Sequence, residues 1–287
     1  MARLPVLNLA LRSIANRRAT AILTVLTVAI SVMLFLGVEK VRHGARESFE
    51  NTISGVDLIV GARSSPVNLL LYSVFHIGDA TNNITWESYE TVASAPGVAW
   101  TVPISLGDSH RGHRVIGSTP DLFEHYQYGG GRHLEFASGQ PFSDLFGAVI
   151  GAAVAREQGY QTGDEIIVAH GMGAVGFIEH DSNPFTVVGV LAPTGTPLDQ
   201  SVMVTLEAIE AIHLGGATGS GATVSAEELR AMDLTPDQLT AFFVGLDSPV
   251  AALRLQRAIN TYPEEPLQAV ILGVALAQLW SIVGVAE

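Results

Sequence analysis

Twenty consecutive residues near the start of the chain, residues 19–38, carry no charged side chain. At about 1.5 Å per residue, a helix of this length spans roughly 30 Å, the thickness of a bilayer's hydrocarbon core. The pattern therefore predicts a transmembrane helix over residues 19–38. The alternatives are a buried core helix and a cleaved signal peptide. A signal peptide is disfavoured because the apolar stretch is long and because Gly37-Val38-Glu39 does not fit a cleavage site.

The first 18 residues repeat apolar side chains at helical spacing. Leu4, Leu7, Leu11 and Ile14 recur every three or four positions, with polar residues between them. We therefore expect residues 1–18 to form a short amphipathic helix on the cytoplasmic face of the membrane. The alternative is a continuation of the membrane-spanning helix towards the N-terminus.

The basic residues around the apolar stretch predict its direction. Four arginines and no acidic residue precede it, whereas the basic residues that follow it are mixed with glutamates. Because Lys and Arg are enriched on the cytoplasmic side of membrane proteins, this distribution favours a cytoplasmic N-terminus. Residues 45–265 are then expected to lie outside the cytoplasm.

Beyond residue 45, short apolar segments alternate with helical patterns and with breaks rich in Gly and Pro. The predicted strands are residues 57–60, 98–105, 115–117, 148–150, 165–169, 185–191, 201–205 and 241–246. The predicted helices are residues 86–94, 120–126, 152–158, 206–213 and 249–260. Residues 267–271 fit either a strand or the start of a helix. The Gly-rich residues 214–222 predict a mobile loop.

This mixture of strands and helices predicts an α+β fold with two sub-domains. One is a porter-like β-α-β sub-domain comprising residues 45–109 and 225–265. The other is a strand-rich insertion at residues 110–224, where the density of predicted strands rises. Residues 57–60 and 241–246 flank the insertion, and we expect them to lie in one sheet.

The end of the chain holds a second uncharged stretch, residues 267–286. Its length approaches that needed to cross a bilayer. We therefore expect residues 267–287 to begin a second transmembrane or stalk helix.

The charge and cysteine content narrow the classes of partner and site. The chain has 15 basic and 28 acidic residues, a formal net charge of -13. Outside the first 20 residues, no basic run is interleaved with aromatic residues, so nucleic acid is not an expected partner. Cysteine is absent, which excludes disulfides, iron–sulfur clusters, thiol nucleophiles and Cys-based zinc sites.

Motifs for catalysis are not found in the sequence. No G-x-x-x-x-G-K-[ST] phosphate-binding loop occurs, so we expect no ATP hydrolysis by this chain alone. No G-x-S-x-G nucleophile motif is present either. We therefore expect no enzymatic activity, and no catalytic, cofactor-binding or metal-binding residues.

Histidines offer the main metal hypothesis. His110 and His113 are three residues apart, a spacing found in metal ligand pairs, and Asp108 is close by. The neighbouring Arg111 and Arg114 disfavour a bound cation, and the alternative is two histidines in an exposed loop. The same alternatives apply to a second polar segment, which contains His170, His180 and Asp181. The scattered carboxylates are expected on the solvated surface: Asp79, Asp108, Glu124 and Glu135.

The N-terminal residues contain a motif that is similar to one in a known protein family. Residues 11–32 read LRSIANRRATAILTVLTVAISV. This segment resembles the start of permeases of the MacB/LolC/FtsX-like class of ABC transporters, in which a basic amphipathic helix precedes an R-R-x-x-T entry to the first span. Here Arg17, Arg18 and Thr20 stand at that entry, one residue short of the family spacing.

Further similarities follow in family order along essentially the whole chain. They are GVDLIVGAR (55–63), PGVAWTVPI (96–104), RHLEFASGQPF (132–142), AVIGAAVA (148–155), GDEIIV (163–168) and FTVVGVLAPTGTPLD (185–199). The first two are similar to the first outer strands of the family, the middle pair to its mid-domain helix region, and the last pair to its late strands and turn.

The resemblance implies a permease subunit in the bacterial inner membrane, with its main domain in the periplasm. Such a subunit couples a separate cytoplasmic ABC ATPase to motion of the outer domain, for export, lipoprotein release or activation of partners. The resemblance also implies a homodimer or heterodimer of permeases and a periplasmic partner. The family's outer domain is a porter-like β-α-β module with a strand-rich insert, which agrees with the plan above.

The chain departs from the family in its number of spans. Family members have four, whereas this chain holds one and the start of a second. We therefore expect a truncated product or a fragment that binds the ATPase weakly, because residues 1–18 offer little cytoplasmic surface. The alternative function is a membrane-anchored periplasmic binding or interaction module without ATPase coupling.

Overall fold

The computed structural model describes residues 16–170, 183–217 and 224–285. The chain divides into two compact units, Met1–Ser48 and Phe49–Glu287.

One long helix, α1 (Arg18–Glu50), dominates the first unit, and its last two residues belong to the second unit. Among the described residues, the stretch Arg18–Gly44 is the one helix that is long and apolar enough to cross a membrane. Its large apolar side chains are exposed, as expected for a helix that faces lipid. The predicted span at residues 19–38 lies within it. Most of the amphipathic helix predicted at residues 1–18 lies outside the described residues.

Three hydroxyl side chains of α1 bond to the helix itself. Thr24 donates to the carbonyl of Thr20 at 3.0 Å, Thr27 to that of Leu23 at 2.8 Å, and Ser31 to that of Thr27 at 2.9 Å. Each of these three hydroxyls thus has a partner within the helix, as an apolar medium requires. The polar residues of the stretch are therefore compatible with a membrane span.

The second unit is built on an 11-stranded mixed sheet with two small two-stranded sheets. The strands are β1 (Leu58–Ala62), β2 (Ile84–Thr85), β3 (Val98–His110), β4 (His113–Ser118), β5 (Gln127–Tyr128), β6 (Arg132–His133), β7 (Phe136–Gly139), β8 (Gly147–Ile150), β9 (Glu165–Ile166), β10 (Ala169–His170), β11 (Phe185–Leu191), β12 (Ser201–Thr205), β13 (Gln238–Leu239), β14 (Ala241–Leu246) and β15 (Leu267–Ile271).

The helices of this unit are mostly short. They are α2 (Pro66–Ser73), α3 (Trp86–Ala93), α4 (Asp121–His125), α5 (Ala152–Gln158), α6 (Leu206–Ala217), α7 (Ala226–Arg230), α8 (Ala252–Asn260) and α9 (Leu272–Val285), with 3₁₀ turns at Pro197–Gln200 and Pro249–Ala251. The mixture of strands and helices around a mixed sheet confirms the expected α+β architecture.

The order of strands in the large sheet is β15-β1-β14-β3-β4-β12-β8-β11-β7, with β10 added to β3 and β9 added to β11. Strand β1 lies between β14 and β15, with Leu58 opposite Val244 on one side and Ile271 on the other. The expectation that residues 57–60 and 241–246 share a sheet is therefore confirmed.

The 13-residue strand β3 joins the two parts of the large sheet. Its first residues, from Val98 to Ile104, pair with β14. Its later residues, from Ile104 to His110, pair with β4. Because the sheet is continuous across β3, the predicted boundaries of the two sub-domains remain a prediction.

Both faces of the sheet are covered at β1, the strand next to the edge strand β15. All five residues of β1 are buried. Ile59 packs in a cluster with α2, whereas Leu58 and Val60 pack in a second cluster with residues of α3 and α8. A third cluster covers β8 and β11 and includes α6. A run of five buried apolar residues is typical of a strand enclosed on both faces.

Three predicted boundaries are corrected. The strand predicted at residues 98–105 continues to His110 because β4 pairs with it up to the turn. The strand predicted at residues 165–169 is broken into β9 and β10, which pair with different neighbours. The loop predicted at residues 214–222 is wrong for its first four residues, because α6 continues through Ala217. Of the two alternatives at residues 267–271, the structure has the strand.

Candidate functional site

The histidine pair singled out in the sequence lies at the end of the β3–β4 hairpin. His110 ends β3, His113 begins β4, and the two are opposite each other in the register. Both side chains are buried, so their expected place in an exposed loop is wrong. The two side chains are buried because β3 and β4 pair as far as the turn and because neighbouring segments cover the hairpin. Among the described residues, no group of three or more His, Cys, Asp or Glu could hold a metal ion.

The carboxylates expected on the surface divide into two groups. Asp79, Glu124 and Glu135 are exposed. Asp108 is 2% exposed, so its expected surface position is wrong: β10 pairs alongside β3 at this point and covers it. Of the second polar segment, His180 and Asp181 lie outside the described residues.

His110 bridges two segments with its ring nitrogens. Its Nδ1 lies 2.6 Å from the carbonyl oxygen of Ile167, and its Nε2 lies 3.1 Å from the Tyr160 hydroxyl. A carbonyl only accepts, so Nδ1 donates, and in the neutral ring Nε2 accepts from Tyr160. Burial lowers the pKa of His110, and the charges of Arg111 and His113 act in the same direction against the opposing Ile167 bond. Neutral imidazole is therefore the form that fits this site.

Helix α5 closes the other side of the hairpin. The Gln158 side-chain amide donates to Nε2 of His113 at 3.3 Å and accepts from Arg111 at 3.3 Å. Glu157 lies 3.9 Å from the same His113 nitrogen, where it would pair with a protonated ring. Two histidines on one hairpin thus have different surroundings: His113 faces a carboxylate and His110 does not.

A buried guanidinium stands next to this hairpin. Arg114, 6% exposed, donates to the carboxylate of Asp79 at 3.1 Å and to the carbonyl of Gly78 at 3.0 Å. Its Nε is buried and has no hydrogen-bond partner among the described residues. A buried cation requires a partner within hydrogen-bonding distance, and Asp79 and Gly78 provide it for Arg114. These bonds fasten the segment after α2 to β4.

A serine and a histidine lie close together beside Arg114, but not as a nucleophile and base. The Ser201 hydroxyl donates to the carbonyl of Pro197 at 3.0 Å, so it accepts from Nδ1 of His76 at 3.2 Å. Ser201 is 1% exposed. A nucleophilic serine needs an unprotonated ring nitrogen facing its hydroxyl and access to substrate, whereas here the facing Nδ1 carries a proton and Ser201 is buried. The contact fixes the end of α2 to β12.

The PTGTPLD turn, part of the resemblance noted above, is organised by one carboxylate. Asp199 accepts hydrogen bonds from the Thr194 amide at 2.9 Å, the Thr194 hydroxyl at 2.8 Å and the Gly195 amide at 2.8 Å. Thr196 caps the following 3₁₀ turn by accepting from the Leu198 amide at 3.3 Å. The motif therefore fixes the connection between β11 and β12 in one conformation.

An aromatic cluster lies where α1 ends. The ring of Phe49 is 4.5 Å from that of Phe75, which follows α2, and 5.7 Å edge-on from that of Trp280 in α9. Aromatic pairs at these spacings contribute beyond the apolar area that they bury. Helix α9 also buries Ala275 against the same core cluster. The last turn of α1 is therefore packed with α2 and α9, and we call these three rings the aromatic junction.

Two open grooves occur on the described surface. One has a volume of about 530 Å³ and is lined by Thr85, Trp86, Glu87, Asp233, Thr235, Pro236 and Asp237. The other has a volume of about 300 Å³ and contains the ion pair of Arg230 with Asp144 at 2.9 Å. This ion pair holds the pKa of Asp144 below its ordinary value, and the largest cause is the hydrogen bonding from Arg230. Both charges of that pair are thereby engaged within the protein.

The solved structures that are similar to this chain include two domains of transporter proteins. The periplasmic region of MacB from Actinobacillus actinomycetemcomitans is 10% identical, with a TM-score of 0.46 over 80% of this chain and 94% of that one. The extracellular domain of the noncanonic ABC-type transporter YknZ from Gram-positive bacteria is 13% identical, with a TM-score of 0.41 over 75% of this chain and 99% of that one. No curated protein sequence matches this chain.

Comparison with family profiles gives a match over most of the chain. The profile of the MacB-like periplasmic core domain matches residues 21–262, which begin within α1 and end just after α8. The match includes strands β1 to β14, the β3–β4 hairpin and the PTGTPLD turn. This chain therefore belongs to the family of MacB-like periplasmic core domains.

Proposed function

We propose that this chain is the permease subunit of a MacB-like ABC transporter. In this role it couples a separate cytoplasmic ATPase to motion of its extracytoplasmic domain, for export or for handling of a substrate or lipoprotein. It resides in the bacterial inner membrane with a cytoplasmic N-terminus and pairs with a second permease as a homodimer or heterodimer. A periplasmic partner would complete the assembly.

The continuity of α1 carries this proposal. The helix runs without a break from Arg18 to Glu50, through the apolar stretch and into the aromatic junction. We propose that a displacement of the span passes along this helix. Phe49 is the residue at which such a displacement reaches α2 and α9. Membership of the MacB-like periplasmic core domain family supports the same reading.

The orientation is tested by cysteine labelling, because the chain has no cysteine of its own. Asn16→Cys precedes the span, and Ser94→Cys lies on the exposed end of α3. A membrane-impermeant thiol reagent should label Cys at position 94, but not at 16, in cells with a permeabilised outer membrane. Both positions should react after the inner membrane is lysed. The reverse pattern in intact inner membranes would refute the proposed topology.

The coupling is tested in inside-out vesicles from the native cell, which contain the cell's own ATPases. An environment-sensitive fluorophore on Ser94→Cys reports on the outer domain while ATP is added to the cytoplasmic face. We expect an ATP-dependent signal that ADP does not produce. Phe49→Ala should abolish it, and Leu253→Ala, at a residue that is 70% exposed, should not. A signal that is independent of ATP would favour an anchored binding module without ATPase coupling.

A further inference from the structure

A short segment is held on the hairpin by few bonds. Residues 165–170, called the strap here, leave β11 after the two-residue strand β9 and reach β3 through the two-residue strand β10. Between these ladders lie Ile167 and Val168. Ile167 is fastened by His110 through its carbonyl oxygen. Among the described hydrogen bonds of the strap, the one from His110 is the bond to its middle, and the buried side chains of Ile166 and Val168 add apolar packing.

The burial of His110 disfavours a second proton, although the Nδ1–H that bonds to Ile167 is present in both the neutral and the protonated ring. His110 is 3% exposed, and its second nitrogen already accepts from Tyr160. A second proton would place a positive charge in a buried site, where charge is costly without a partner. The Tyr160 ring, 5.5 Å from the imidazole, is uncharged and offers only a hydroxyl.

The charged groups around His110 oppose that second proton. On the hairpin, the Arg111 guanidinium lies 6.0 Å from the centre of the Tyr160 ring, and on β4 His113 and Arg114 are further cations or potential cations. The Glu157 carboxylate on α5 pairs with His113 rather than with His110. On β3, the Asp108 side chain is also buried, two residues earlier. The groups that oppose the second proton are Arg111 and His113.

We infer that His110 is an acid-sensitive latch: it holds the strap on the β3–β4 hairpin while neutral, and the strap is released when the ring takes up a second proton. Release gives the imidazolium access to water. It also uncovers Ile166 and Val168, which are 1% and 0% exposed in the latched state. Acid on the extracytoplasmic side would thereby expose an apolar surface next to the hairpin.

The direction of the pH dependence follows from the lowered pKa of His110. The latched state binds fewer protons than the released state, so latching is strongest at neutral pH. It weakens as the pH falls below about 6.5, the ordinary pKa of a histidine in the released strap. Each pKa unit that separates the two states changes the opening equilibrium about tenfold.

Hydrogen exchange of the full chain in nanodiscs tests the latch. After correction for intrinsic exchange rates, the amides of residues 167–170 should lose about tenfold protection between pH 7.5 and pH 5.0. His110→Asn keeps a donor for Ile167 but does not titrate, so it should remove most of this loss. The matched control His133→Asn replaces an exposed histidine on β6 and should leave it unchanged. Equal loss in wild type and His110→Asn would overturn the inference.

A second measurement does not depend on folding of the variant. Histidine ring signals in the NMR spectrum of the wild-type chain give the titration of His110 directly. Its midpoint should lie below about 6.5, the ordinary pKa of histidine, and coincide with the midpoint of strap exchange. Midpoints that differ by more than about one pH unit would show that another group controls the strap.

Discussion

Substitution of Asp199 should destabilise the domain more than substitution of an exposed carboxylate does. Asp199→Ala removes the acceptor of three hydrogen bonds, two from backbone amides and one from the Thr194 hydroxyl. Thr194 is only 9% exposed, so water cannot take the place of the carboxylate as the acceptor for its amide. Its hydroxyl retains a contact with Thr196 at 2.7 Å. The loss is therefore concentrated on the two amides of the turn.

The magnitude follows from these three bonds. Hydrogen bonds to a charged acceptor contribute about 1.5–3 kcal/mol each, and one of the three donors keeps another partner. Part of the loss is recovered because the Gly195 amide is exposed and can bond to water. We expect a loss of about 3 kcal/mol for Asp199→Ala. Asp199→Asn keeps one acceptor oxygen, and about 1 kcal/mol is expected.

Thermal unfolding of the full chain in detergent measures these changes. For a domain of this size, 1 kcal/mol corresponds to about 2–4 °C, so Asp199→Ala should lower Tm by roughly 6–12 °C. The matched control is Asp233→Ala, which removes a similar turn contact to Thr235 on the exposed surface. The control should lower Tm by less than about 3 °C. Equal shifts for the two alanine variants would refute the argument from burial.

Three further changes test other parts of the fold. Gly151→Ala should lower Tm by several degrees, because its Cβ would lie 2.5 Å from the carbonyl carbon of Asp199; a melting curve like that of the wild type would show that the turn moves aside. Asn260→Ala should promote concentration-dependent association in light scattering, because Asn260 accepts from the Ala269 amide on the outer edge of β15 at 2.6 Å. Burial lowers the pKa of His76 to about 3, so its contribution to the free energy of unfolding is full above pH 6.5 and falls as the pH drops towards 3. In denaturant titrations, the free energy of unfolding of His76→Asn should therefore depend less on pH than that of the wild type.

The regular elements could be predicted because their signals are local. The strand at Phe185–Leu191 is rich in β-branched residues and lies between breaks, and its bounds were predicted without error. Thr85, which precedes the helix predicted at residues 86–94, caps α3 by accepting from the Ser88 amide at 3.3 Å. Helix α2 was missed although its signals are present: Ser65 accepts from the Asn68 amide at 3.1 Å, and Pro66 occupies the first turn.

Burial of polar residues could not be predicted, because it depends on contacts distant in sequence. The tripeptide around His110 is polar, and its sequence favours an exposed turn. Its burial comes from Tyr160 and Ile167, some fifty residues later. Arg114 is buried by its bonds to the segment after α2, 35 residues earlier. The sequence of the hairpin itself contains no pattern that identifies these partners. The spacing of His110 and His113 therefore suggested a metal site and gave no sign of the contact between His110 and the strap.

The predicted sub-domain boundary near residue 110 has a particular structural consequence. It falls at the end of β3, a strand that pairs with β14 at one end and with β4 at the other. If the two sub-domains move relative to each other, β3 has to bend, because breaking its ladders would leave many backbone groups unpaired. The pairing of β3 with β4 shifts register between Leu106 and Ser109. Such bulges bend a strand at little cost, so a motion transmitted from the aromatic junction would be absorbed there rather than at a loop.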